Sequence, residues 1–166
     1  SHPPYRFLWK DVPSGFFPIV VRAIDAGGLV GTAMANVTVN GLKGEYFDDT
    51  NLTQLRATRL DHRIDFSWQN RIPLPTGLGD IYYSVRWTGY IEPEYSQDYR
   101  IGIRVDDGGR LWVDGRRVID AWRGQSATTY TTIVPLERGR RHFIQMEYNN
   151  TGCCGAFAQL LWENPS

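Results

Sequence analysis

Two-residue alternation runs through most of this chain, and it confines the fold to sheets. Tyr99, Ile101, Ile103 and Val105 alternate with Arg100, Gly102 and Arg104, a strand with one buried face and one wet face. Leu111 and Val113 resume the pattern after a break at Asp106-Asp107-Gly108-Gly109. Ile144, Met146 and Tyr148 point one way on a later strand, and Ala158, Leu160 and Trp162 do so on the last. Asp114-Gly115 marks a two-residue hairpin, since both central positions of a type I′ turn take positive φ. No window of about eleven residues or more carries a helical stripe. The chain is all-β, a sandwich from about residue 41 to 164.

The first forty residues read differently. Residues 16–25 and 29–39 form two strands around Ala26-Gly27-Gly28, and Tyr5 to Trp9 suggests a third. Three strands are too few for an independent core, so residues 1–40 are expected to be an incomplete domain, with a separate β-sandwich domain over 41–166. Residues 1–40 resemble the last strands of a bacterial immunoglobulin-like module. The chain opens on Ser1 with no leader or lipidation motif, so it is expected to be a piece of a longer mature polypeptide.

Eighteen basic residues balance eighteen acidic ones, with no Lys/Arg block, which argues against nucleic acid as a partner. No apolar run reaches the roughly 20 residues of a membrane helix, so membrane insertion is not expected. Phosphate-loop, nucleophile-elbow and HExxH patterns are missing, and His2, His62 and His142 are isolated. Asp106 with Glu147 could imitate a glycosidase carboxylate pair, but only their charge supports it. No enzyme is expected.

Several blocks in register resemble PA14 domains: Gly44-Glu45-Tyr46-Phe47, Ile64-Asp65-Phe66-Ser67-Trp68, Ser84-Val85-Arg86-Trp87-Thr88-Gly89-Tyr90 and Asp106 through Gly115. Val118 to Trp122, Glu147-Tyr148 and Leu160-Leu161-Trp162 extend the likeness to the end. The resemblance implies a β-sandwich and a calcium-dependent carbohydrate-binding module of an adhesin-like, secreted or cell-surface protein. In lectin members of that family, consecutive aspartates joined by a cis peptide hold a calcium ion, which takes sugar hydroxyls. The matching positions are Asp106 and Asp107, and the loop from Asn149 to Gly155 is expected to complete the site, with Asn149 as third metal ligand.

Physical chemistry bears on that expectation. Calcium takes six to eight oxygens at about 2.3–2.6 Å. Adjacent aspartates on an extended strand face opposite ways, and a cis peptide brings them to one side. Gly108 and Gly109 give the backbone room to turn; by itself the Asp-Asp-Gly-Gly run reads as a solvated turn. Trp122, Asn150, Cys153 and Cys154 are the expected sugar contacts. Trp122 is the candidate for stacking on a sugar, whereas Trp68, Trp87, Trp112 and Trp162 are expected in the core. The adjacent cysteines either join as a vicinal disulfide, pair with another chain or stay reduced, and an extracellular setting favours the first. Asn36, Asn51 and Asn149 are glycosylation sequons, and a glycan on Asn149 would obstruct the site. The expected partners are glycans and neighbouring domains or chains. The alternative function is a structural unit of an extracellular stalk or filament, with calcium used for rigidity.

Overall fold

The computed structural model describes residues 15–39, 41–68, 75, 78–79, 81–152 and 155–163. Tyr5 to Trp9, most of the Pro/Gly-rich stretch 70–80, and Cys153 and Cys154 fall outside them.

Strands β1 (Gly15–Ile24) and β2 (Val30–Val39) form a two-stranded antiparallel hairpin of their own. The Asp25 carboxylate closes its turn by accepting the N–H groups of Gly27 and Leu29, and Gly28 takes φ 85°. Apolar side chains on this hairpin stand in the open, Val21 at 59% and Met34 at 72% exposure. A hairpin gains little from burial by itself, so this unit needs another surface.

The remaining strands form two sheets. β3 (Leu42–Phe47), β4 (Leu55–Asp61), β6 (Tyr83–Ile91), β8 (Gly108–Val113), β9 (Arg116–Ala121) and β11 (His142–Asn150) make a six-stranded sheet in the order β4-β3-β6-β11-β8-β9. β5 (Asp65–Ser67), β7 (Gln97–Asp106), β10 (Thr128–Leu136) and β12 (Phe157–Glu163) make a four-stranded one, ordered β10-β7-β12-β5. Every pairing is antiparallel, as short connections between alternating strands allow. The sandwich anticipated from the alternation is therefore present. Asp114 and Gly115 join β8 to β9 at φ 49° and 80°, as the type I′ reading requires.

The inward residues of each strand are those the alternation picks out. Ile101, Ile103 and Val105 from β7 meet Leu111, Val113, Ile144, Met146 and Tyr148 from the facing sheet. At one side the rings of Phe66, Trp68, Trp87 and Tyr148 stack, with centroids 5.0 Å apart for Phe66–Trp68 and 5.1 Å for Trp68–Tyr148. Asp61 is one of the buried polar residues among the described ones. Its Oδ2 accepts the Tyr46 hydroxyl at 2.6 Å and Trp87 Nε1 at 2.7 Å, and its Oδ1 accepts Arg59 Nε at 2.6 Å. His142 is also buried and satisfied, with Nδ1 2.8 Å from Asp114 Oδ2 and Nε2 accepting the Glu137 N–H.

Two tryptophans depart from the expected core position. Trp162 is 43% exposed and stacks on Tyr99 near the chain end. Trp112 lies half-buried on the outer face of β8, because it is one residue out of phase with the inward pair Leu111 and Val113.

Candidate functional site at the crossing between the sheets

β7 belongs to the four-stranded sheet and β8 to the six-stranded one, yet only Asp107 separates them. The chain therefore changes sheets within one residue, and the peptide between Asp106 and Asp107 is cis. Strand register then brings the other loops to this point. Asn149 on β11 sits opposite Gly108, Phe157 on β12 opposite Asp106, and Thr128 on β10 opposite Val105. Segments 121–128 and 149–157 consequently meet at the aspartate pair.

Asp107 is held by both loops. Asp107 Oδ2 accepts the N–H of Thr151 at 2.7 Å and its hydroxyl at 2.9 Å, while Oδ1 accepts the Gln125 N–H at 3.3 Å. Gln125 Nε2 also donates to the Asp107 carbonyl at 3.0 Å. The Asp106 carbonyl accepts the Tyr148 hydroxyl at 2.6 Å, so the core's edge supports the cis peptide from beneath. Burial, and then the charge of Asp107, push the Asp106 carboxyl above its usual range, against a hydrogen bond from the Ala127 N–H. Two carboxylates this close favour a bound cation electrostatically.

Glycines make the close approach possible. A Cβ at Gly155 would overlap the Asp106 carboxylate, and one at Gly108 would overlap Asn149 Oδ1. The two asparagines have separate tasks. Asn149 is 4% exposed, and its Oδ1 accepts the Gly108 N–H at 3.0 Å, so the oxygen expected to bind metal is committed to the backbone. Its burial also leaves no opening for a glycan at that sequon. The Asn150 carboxamide instead faces the carbonyl oxygens of Gly152 and Gly155, each at 3.2 Å. With its nitrogen toward them it donates two hydrogen bonds; with its oxygen toward them, three oxygens surround a position suited to a cation.

The donor set fits calcium chemically. Among the described residues no group of three or more His, Cys, Asp and Glu gathers, so the ligands beyond the two aspartates would be neutral oxygens. Carboxylates with carboxamide and carbonyl oxygens make a hard donor set, suited to calcium and poor for thiophilic metals. Gly155→Ala tests this arrangement: calcium affinity, by calorimetry, is expected to fall at least about tenfold. The unfolding midpoint should stay put, because the added methyl meets the site and not the core.

Trp122 borders the same site. The Arg123 N–H bonds back to the Ala121 carbonyl at 2.9 Å, which closes a three-residue turn around it, and a Cβ at Gly108 would lie 3.0 Å from that Arg123 nitrogen. Arg123 also donates to Tyr130 Oη at 3.0 Å, and Tyr130 donates to Gln125 Oε1 at 2.6 Å. Glu147 does not pair with Asp106. It is locked between Arg86 and Arg110 at 2.8 and 2.7 Å on the outer sheet face.

The PA14 domain profile matches residues 38–165. This chain belongs to the PA14 domain family. A PA14 relative, the anti-sigma-I factor RsgI3 of Acetivibrio thermocellus, is 42% identical over 131 residues, 79% of this chain. The chain spans only 20% of that curated relative's length. Among solved structures, an anti-sigma factor domain-containing protein superposes with a TM-score of 0.72 at 41% identity, over 77% of this chain and 44% of its own. The PA14 sugar-binding domain from an RTX adhesin shares the fold, with a TM-score of 0.56 and 22% identity over 75% of this chain and 89% of its own. The stretch matched by the PA14 profile, residues 38–165, includes the sandwich that carries the aspartate pair.

Sequence reasoning named Asp106, Asp107 and Trp122 for one site, and the structure sets the turn that carries Trp122 against Gly108, next to the aspartate pair. It missed Gln125, Thr151 and Tyr148, which hold the pair. Only the register of β8 against β11 tells Asn149 from Asn150, and no short motif encodes it.

Proposed function

We propose that this PA14 domain is a calcium-dependent carbohydrate-binding module of a secreted or cell-surface protein. One observation carries the reading: two carboxylates, a carboxamide and two backbone carbonyls gather where the loops meet. Asp106, Asp107 and Asn150 would hold the ion with the loop carbonyls, while Asn149 anchors Gly108. Bound calcium supplies a positive centre with positions open to two vicinal sugar hydroxyls. Trp122 offers an apolar ring to the sugar's C–H face. Cys153 and Cys154 lie outside the described residues; in this reading they would join as a vicinal disulfide and add a further apolar contact. The module binds without catalysis, since Glu147 is neutralised by two arginines. Weak single sites gain strength when repeated along a surface.

The anti-sigma relatives fit a signalling parent, and the RTX adhesin an adhesive one; either asks the domain to bind. The exposed hairpin favours a second reading, a stalk unit in which residues 1–40 complete an immunoglobulin-like module with neighbouring chain. A glycan array in millimolar calcium, repeated in chelator, separates the two. Binding that disappears in chelator is expected, and binding that survives would move the site away from Asp106 and Asp107. A folded protein that binds nothing would leave the stalk. Within the array, Asn150→Ala should weaken binding at least about tenfold. Asn149→Ala should act on thermal stability instead, because it orphans a buried N–H at Gly108.

A further inference from the structure

The outer face of the six-stranded sheet carries a row of charges aligned across five strands. Register places Glu45 opposite Arg86, Arg86 opposite Glu147, Glu147 opposite Arg110, and Arg110 opposite Asp120. Glu147, at the centre, is only 3% exposed although it faces away from the core. It accepts Arg86 Nε at 2.9 Å and Gln145 Nε2 at 3.1 Å besides its two ion pairs. A carboxylate so enclosed fixes the guanidinium groups around it, since neither can leave without stranding a buried charge.

Arg110 is the unusual member. Its Nε is buried without a hydrogen-bond partner, and its Cζ lies 4.0 Å from the ring centroid of Trp122. The ring of Trp112 is 5.6 Å away from the same carbon. A guanidinium that hydrogen-bonds toward Glu147 and otherwise covers an indole is committed to that ring. Trp122 is also fixed at its backbone, by the turn from Ala121 to Arg123 that abuts Gly108. The indole beside the aspartate pair is thus immobilised twice, although it is only half-buried and outside the main core.

We propose that Glu147 and Arg110 are positioning residues that hold the Trp122 ring ready for a pyranose face beside the calcium site. The proposal rests on the carbohydrate reading above and adds to it the origin of the ring's rigidity. A ring ordered before binding spares the ligand the entropy cost of ordering it. Loss of the guanidinium should therefore weaken sugar binding several-fold without touching the oxygens that take calcium. Arg110→Lys keeps the charge but loses the planar group that stacks and forks, so it should recover only part of the effect.

The test uses the whole chain labelled with 5-fluorotryptophan, with the Trp122 fluorine line assigned through Trp122→Phe. Calcium affinity is measured by calorimetry. Sugar affinity is measured with lactose, cellobiose and xylobiose, and with the array saccharide of strongest signal beside them. In Arg110→Met the Trp122 line is expected to shift and broaden, and sugar affinity to fall about five- to tenfold. Calcium affinity should remain that of the native chain. An unchanged Trp122 line with unchanged sugar affinity overturns the proposal, as does an equal loss of calcium and sugar. A native chain that takes calcium but no saccharide overturns the carbohydrate reading instead, and with it any sugar-presenting role for Arg110. Trp122→Phe with undiminished sugar affinity removes the ring from the site and overturns the proposal alone.

Discussion

Asp107→Ala is expected to abolish calcium-dependent glycan binding while the sandwich stays folded. The substitution removes one of two charged donors, and affinity in oxygen-only sites depends steeply on ligand charge, so a loss of at least about a hundredfold is expected. It also removes the acceptor shared by Thr151 and Gln125, the contact that ties segments 121–128 and 149–157 to the crossing. Hydrogen bonds to a charged acceptor contribute about 1.5–3 kcal/mol each when well enclosed. These are only part-buried, so the stability cost should be smaller, about 2–3 kcal/mol in all. Asp107→Asn separates the two effects. A carboxamide oxygen can keep both Thr151 donors and give up only the longer Gln125 N–H contact, so most of the loop tie should hold while calcium binding falls. Calorimetry with calcium and a thermal melt read the two quantities independently. Undiminished calcium affinity in Asp107→Ala would remove the aspartate pair from the site.

Asp61→Ala is expected to be the most destabilising single change considered. Tyr46 Oη and Trp87 Nε1 are buried donors that share one carboxylate oxygen, and Arg59 takes the other. Burial, and then the charge of Asp61, raise the Tyr46 phenol above its usual range, so it stays a protonated donor. Losing the common acceptor strands both donors at about 1–3 kcal/mol each and removes the carboxylate that Arg59 Nε donates to. A total near 4 kcal/mol is expected, which lowers the melting temperature by roughly 10 °C in a domain this size. Asp61→Asn keeps an oxygen in place and should cost well under half as much. Calcium affinity should survive both changes in protein that remains folded. A shift of only a degree or two for Asp61→Ala would mean that the two donors find other partners.

Much of the fold is legible in the residues because sheet patterning is local. Alternation along Tyr99 to Val105 gives the buried face of β7, and Asp114-Gly115 gives the β8–β9 hairpin without reference to distant chain. The same logic fails at Trp162. It continues the alternation of Ala158 and Leu160 and lies opposite the core residue Ile101, yet β5 covers β12 only as far as Gln159, and the ring lies on Tyr99 at 43% exposure. Alternation assigns a face, but the extent of the neighbouring sheet decides whether that face is covered.

The candidate site divides in the same way. The Asp106-Asp107 pair and the loop after Asn149 were singled out by the PA14 resemblance, because an Asp-Asp-Gly-Gly run by itself reads as a solvated turn. The partners of the pair were not visible, because Gln125 lies 18 residues and Thr151 44 residues away. Pairing of β10, β11 and β12 is what brings them together.

By itself the sequence determined that this chain is all-β, where several of its strands turn and which faces most of them bury. Only the tertiary structure decided that Asn149 holds Gly108 while Asn150 faces the loop carbonyls, that Glu147 serves Arg86 and Arg110, and that Arg110 covers Trp122. The reason is physical. Side-chain direction follows from the backbone within a strand, but which side chains meet is fixed by register between strands, and a one-residue slip would exchange the two asparagines.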